Sequence, residues 1–237
     1  MLLIIVFTAF ESLYFPHSFF LDSRFNPAFP QQHMSLATYA GLHFGMTDVR
    51  TYCVHARMNG YSVSAVSFGN DIYRENAVSG GASFPVSTNL YAGFNITMLN
   101  YWVKDYCNRF RYSMTAGFYV QEKNVSIDGW IAHLNTPQFN GFDEIPVVYS
   151  LQLRYITEKR ISLIGSVRGT ELELPFYNFG FTYTPSQHIL FGLGANTDPV
   201  FLEYVIQICA GRIRLDYAGK THQYLGLSHF FGLHYTP

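Results

Sequence analysis

The chain reads as all-β, a transmembrane antiparallel β-barrel of about fourteen strands, and three observations predict it. Apolar and polar residues alternate in segments of about ten residues, charge is too scarce for a soluble exterior, and short links between segments alternate with longer ones. Only 13% of the 237 residues are Asp, Glu, Lys or Arg, while 18% are aromatic; a soluble globular chain carries about 25% charged residues. The net charge of −1 leaves no electrostatic footprint for nucleic acid. No uninterrupted apolar run reaches the roughly 18 residues of a spanning helix, so crossing falls to strands.

Residues 1–35 form a segment apart from the barrel. MLLIIVFTAF has the apolar body of a secretory signal, without a preceding basic residue or a small-x-small cleavage site. The expectation is a clipped signal leading to Asn26, Pro27 and Ala28, a short segment able to plug the lumen. Residues 36–237 form the barrel. Its first strands are expected at 36–45 and 49–58. Asn59-Gly60 is a strong two-residue turn signal, setting Met58 against Tyr61, Ala56 against Val63 and Val54 against Ala65 as the next strand runs through 61–69. Strands at 76–84 and 89–103 follow. In the latter, Leu90, Ala92, Phe94, Ile96, Met98 and Trp102 alternate with Tyr91, Gly93, Asn95 and Thr97.

Further strands are expected at 110–121, 125–134, 146–156 and 161–169. At 174–184, Tyr177, Phe179, Phe181 and Tyr183 share one face. A strand at 189–196 precedes 200–209, where Val200, Leu202, Tyr204, Ile206 and Ile208 form one apolar set and Glu203 and Gln207 fall on the other. Placing a turn at Ala210-Gly211 sets Ile208 against Ile213, Ile206 against Leu215 and Tyr204 against Tyr217, in a strand at 212–218. The last strand is expected at 226–235.

Even-numbered links are tight (59–60, 85–88, 122–124, 157–160, 185–188, 210–211), and several odd-numbered ones are longer (70–75, 104–109, 135–145, 219–225). Outer-membrane barrels are built with short periplasmic turns and longer external loops. The apolar set of each strand therefore faces lipid and the polar set faces the interior. A charge facing lipid near the midplane costs about 2 to 4 kcal/mol for Arg or Lys, and the outward sets carry almost none.

The inward face collects Arg154, Arg168, Glu203, Arg212, Arg214 and Asp216, read as an ion-pair network across the lumen. Because about eight strands is the size that side chains fill well, a wider barrel needs further blocking. The candidates are the N-terminal segment and the inward Tyr101, Tyr119, Trp130 and Phe201. Asp71, Tyr73, Arg74, Glu75, Phe139 and Phe142 lie in expected loops, where contacts to a partner concentrate.

The nine histidines and three cysteines show no metal-ligand spacing, and Ser228 and His229, being adjacent, fall on opposite faces. No enzyme, metal or cofactor is expected. Cys53, Cys107 and Cys209 read as structural thiols.

At FNPAF (residues 25–29), VSAVSFGNDIYRE (63–75) and RLDYAGKTHQYLGLSHFFGLHY (214–235), the chain resembles the FadL-like superfamily of bacterial outer-membrane proteins, most nearly its PorV/PorQ branch. Asn26-Pro27-Ala28 matches that superfamily's segment before the first strand. The resemblance implies a fourteen-stranded barrel in the bacterial outer membrane, in contact with its lipid. For a PorV/PorQ-type member it implies a docking component for a protein partner in a secretion machine, such as type IX secretion, or in an outer-membrane assembly complex. The FadL-like alternative is a transporter of small hydrophobic ligands such as long-chain fatty acids. The chain is shorter than FadL-type proteins, which ranks docking above transport.

Overall fold

The computed structural model describes residues 26–30, 34–138, 145–157, 160–197, 200–222 and 226–237. Fourteen strands run β1 (Ser35–Leu42), β2 (Arg50–Met58), β3 (Tyr61–Gly69), β4 (Tyr73–Pro85), β5 (Leu90–Val103), β6 (Cys107–Glu122), β7 (Val125–Ala132), β8 (Val148–Ile156), β9 (Ile161–Thr170), β10 (Phe176–Ser186), β11 (Ile189–Thr197), β12 (Val200–Ala210), β13 (Ile213–His222) and β14 (Gly226–Tyr235). Each pairs antiparallel with its sequence neighbours, and β1 pairs with β14 from Leu36↔Tyr235 to Leu42↔His229. The barrel closes, so no strand edge is left with unpaired backbone groups in the bilayer, the condition for a sheet to span a membrane. The signal-like segment lies outside the described residues.

Faces follow the two-residue period. Phe179, Phe181, Leu193, Leu202, Ile208, Leu215 and Leu233 are all about half exposed on the outside, whereas Thr97, Ser166, Asn178, Glu203 and Asp216 are buried inside. The chain is thus an outer-membrane β-barrel with an apolar outer wall and a mainly polar lumen.

The Asn59-Gly60 hairpin has the expected register, Met58↔Tyr61 through Val54↔Ala65; both turn residues take positive φ, 52° and 83°, as a type I′ turn demands. The β12–β13 hairpin differs. It turns on Gly211 and Arg212, pairing Ala210 with Ile213, Ile208 with Leu215 and Ile206 with Tyr217. Gly211 has φ 59°, and a glycine with positive φ suits the first of the two loop positions. The register moves by two residues, an even number, so every side chain keeps its expected face.

The short links are confirmed at residues 59–60, 123–124, 187–188 and 211–212. Three longer links are shorter than expected, since β4 begins at Tyr73, β6 at Cys107, and β13 runs to His222 before β14 begins at Gly226, leaving residues 70–72, 104–106 and 223–225. Asn70 is the local cause for the first: its side-chain oxygen accepts from the backbone N–H of both Ile72 and Tyr73 at 2.9 Å, which tightens the turn. The longer connections are residues 43–49 and 133–147. By the rule for such barrels they mark the external end, and the tight turns mark the periplasmic end.

Candidate functional site

Asn26, Pro27 and Ala28 lie inside the barrel near the tight-turn end. Asn26 is fully buried and donates from Nδ2 to the carbonyl oxygens of Phe118 at 2.9 Å and Gly129 at 3.3 Å, while its own Oδ1 accepts from the Ala28 N–H at 2.9 Å. Arg57, across on β2, donates to Asn26 O at 2.8 Å and to Phe29 O at 3.2 Å, and its guanidinium sits 5.6 Å from the Phe29 ring centroid. Two inward glycines make room: a Cβ on Gly93 would stand 2.4 Å from Pro27 C and O, and one on Gly117 would stand 2.3 Å from Asn26 Oδ1. A side chain at either place would occupy the volume of the segment.

Beside this segment is a cavity of about 120 Å³ lined by Phe29, Tyr119, Lys123, Asp128, Gln152 and Arg154, among others. Phe29 and Tyr119 meet edge to face at 5.2 Å. Asp128 is 4% exposed and within electrostatic reach of Arg154 and Arg168.

Toward the external end one sector of the lumen wall is apolar, beside the buried Thr51 and Glu75. Tyr39, Cys53, Val66, Phe68, Ala77 and Leu99 form one buried cluster. Ile145, from the 133–147 connection, and Val49, from the 43–49 connection, join it together with Tyr73 and Tyr101. Each of these connections is also tied down by a histidine bonded to an inward hydroxyl: His43 Nε2 to Thr51 Oγ1 at 2.7 Å, and His133 Nδ1 to Ser113 Oγ at 2.8 Å. Burial keeps both imidazoles neutral, lowering their pKa to about 4, with the positive charge of Lys220 adding to the effect at His43.

The charged residues singled out for the lumen fall into two groups. Arg154 and Arg168 face the interior from β8 and β9 near Asp128. On the opposite wall, Glu203 lies 3.9 Å from Lys220, and Arg214 lies 3.2 Å from Asp216. Asp216 Oδ2 is also 2.8 Å from His234 Nε2, which bonds the Tyr39 hydroxyl. Arg212 is a correction: it is exposed in the β12–β13 turn, because the turn falls one residue later than the sequence indicated.

The loop set divides. Asp71 and Arg74 are exposed at the external rim as an ion pair at 3.2 Å. Tyr73, Arg74 and Glu75 all belong to β4 and not to a loop; Arg74 points outward, whereas Tyr73 and Glu75 face inward, and Glu75 is 2% exposed and accepts from the Tyr73 hydroxyl. Phe139 and Phe142 lie outside the described residues. Among the large inward residues, Tyr119, Trp130 and Phe201 are buried and Tyr101 is partly buried.

Arg57, Asp128 and Gln152 were missed from the sequence. Each is a polar residue on the inward parity of its strand, which was the available signal; their convergence with the Asn26 segment was not legible in it.

No family model and no curated protein matches the chain. Solved structures match its fold. The monoaromatic hydrocarbon channel CymD superposes with a TM-score of 0.60 at 10% identity, covering 91% of this chain and 92% of that one. A FadL homologue of Pseudomonas aeruginosa gives 0.57 at 10% identity, covering 90% and 93%. The toluene transporter TodX of Pseudomonas putida gives 0.57 at 9% identity, covering 93% of each. The likeness is one of fold, and it agrees with the FadL-like part of the sequence resemblance. The PorV/PorQ branch draws no support from it.

Proposed function

We propose that this outer-membrane barrel is a channel for small, largely apolar molecules, the FadL-like reading, and that its ranking against a docking component is the reverse of the one drawn from sequence. The observation that carries this is the apolar and aromatic wall toward the external end of the lumen, Tyr39, Phe68, Tyr73, Leu99 and Tyr101, closed over by Ile145. A channel for hydrophilic solutes needs polar lining at its mouth; an apolar solute leaving water gains about 25 cal/mol per Å² of surface buried against such a wall. Fold likeness to hydrocarbon channels agrees with this reading. The Asn26–Phe29 segment then narrows the periplasmic end, holding the lumen against leakage of ions.

Calorimetry on purified protein in lipid nanodiscs tests it. Toluene or a long-chain detergent monomer is expected to bind saturably with a definite stoichiometry, and Leu99→Asp is expected to weaken binding while the barrel still migrates as folded when unheated. No saturable binding, together with a protein partner that co-purifies from native membranes, would restore the docking reading.

A further inference from the structure

The inward positions of β3 to β6 change character along the lumen. Toward the external end Ala77 pairs with Leu99 in the apolar cluster, and toward the periplasmic end Gly93 pairs with Gly117 where the Asn26 segment is admitted. Between these levels the inward pairs are Ser64↔Ser79, Ser79↔Thr97 and Asn95↔Thr115. Inward residues are two apart along each strand, so these side chains form a belt of neutral polar groups across neighbouring strands. The belt borders a cavity of about 40 Å³, flanked by His55 on β2 and Trp130 on β7.

Most of the belt is bonded within itself. Ser79 and Thr97 share a hydrogen bond at 2.8 Å, and Ser62 Oγ donates to Asn95 Oδ1 at 3.5 Å. The hydroxyls of Ser64 and Thr115 have no hydrogen-bond partner among the described residues, although both line the cavity and Thr115 is only 5% exposed. A hydroxyl buried in this way is satisfied by whatever fills the space beside it, because a bare buried polar group is costly. Among the described residues no Asp, Glu, Lys or Arg lines the cavity, so nothing there offsets the charge of a carboxylate or an ammonium group. Hydroxyls both donate and accept, which suits them to another hydroxyl.

Size decides how much of a ligand can enter. A water needs roughly 10 to 15 Å³, whereas an engineered cavity that holds benzene measures about 150 Å³. The cavity therefore takes a hydroxymethyl group and not a ring. Val66 and Ala77 line it and also belong to the apolar cluster, which leaves the apolar body of a ligand on that side.

We propose that this cavity is a subsite for the alcohol group of a small uncharged permeant, its hydroxyl bonded to Thr115 and Ser64 and its apolar body on the Val66 and Ala77 side. This rests on the channel reading and narrows it, from hydrocarbons in general to neutral molecules that end in a hydroxyl. A hydrocarbon of the same shape displaces water from Thr115 and Ser64 without replacing its bonds, which loses affinity.

The test is calorimetric titration of the full chain in lipid nanodiscs, corrected against protein-free nanodiscs, with benzyl alcohol and with ethylbenzene, which carries a methyl group in place of the hydroxyl. The unaltered protein is compared with Thr115→Val, which keeps the side-chain shape, and with Ser64→Ala, which keeps the test open should the first variant fail to assemble. Benzyl alcohol is expected to bind saturably and to weaken about three- to tenfold in each variant, the loss of one neutral hydrogen bond. Ethylbenzene is expected to bind as well or better in both. Benzyl alcohol binding indifferent to both substitutions, or saturable binding of ethylbenzene alone, means that the cavity holds only water; either result overturns the subsite and leaves the channel reading standing. Failure of both ligands to bind overturns the two together.

Discussion

Gly93→Ala is expected to expel the Asn26–Phe29 segment from the lumen. The added Cβ would sit 2.4 Å from Pro27 C and O and 2.5 Å from Ala28 N, about 1 Å inside the closest approach of unbonded atoms. The obstructing atoms are backbone on both sides, so rotamer changes give no relief. The segment makes two bonds from the Arg57 guanidinium and two neutral bonds from Asn26 to the wall, contributing about 4 to 9 kcal/mol in all at usual net values. Ordering residues 26–30 costs about 1 to 2 kcal/mol each, which nearly cancels that gain. Burial of Ala28 and Phe29 is then the margin, a few kcal/mol, and the overlap exceeds it.

The assay is single-channel conductance in planar bilayers, paired with protease access to the N-terminal segment. Gly93→Ala is expected to raise conductance and expose the segment, and Arg57→Ala is expected to do the same while leaving the glycine wall intact. Gly80→Ala is the control, because a Cβ there meets nothing within 4 Å. Unchanged conductance and unchanged protease resistance in Gly93→Ala, in a barrel that migrates as folded, would refute the reasoning.

Leu193→Arg, on an outward side chain in the middle of β11, is expected to destabilise the barrel by about 2 to 4 kcal/mol in urea titrations from liposomes. Gln207→Arg is expected to be tolerated, since Gln207 faces the lumen across from Asp216; equal effects would invert the face assignment. Stability should also fall with acid. His43 and His133 titrate near 4 in the folded barrel and near 6.5 when unfolded, so the unfolded chain binds more protons between these values. The contribution is complete above about pH 6.5 and is lost as pH falls toward 4, by about 3 kcal/mol per group. The double variant His43→Asn/His133→Asn is expected to flatten that slope in unfolding titrations at pH 4 to 7, and an unaltered slope would mean that other groups set it.

The strands and their faces were legible because both arise from local rules. Alternation places Leu202 and Leu215 outside and Glu203 and Asp216 inside whatever the neighbouring strands do, and Asn59-Gly60 carries its turn within two residues. Local signals blurred where a turn could close at either of two adjacent positions, and so Arg212 was assigned to the wall when it belongs to the turn. Tyr73, Arg74 and Glu75 were read as loop because the sequence near Asn70 is polar; the cap that Asn70 forms lets the ladder run on through them.

What alternation by itself determined, then, was a closed sheet with an apolar exterior and polar interior, and about how many strands it takes. It was silent on which inward residues meet. Arg57 and Asn26 are 31 positions apart, and Asn26 and Gly129 are 103 apart. Their convergence depends on the curvature of the closed barrel, which carries β2 and the β6–β7 wall to opposite flanks of one short segment. The same closure gathers Lys123, Arg154 and Asp128 around a single cavity and brings Ile145 onto Leu99. Side-chain parity is a property of each strand alone, whereas distance across a lumen exists only once the first strand has paired with the last.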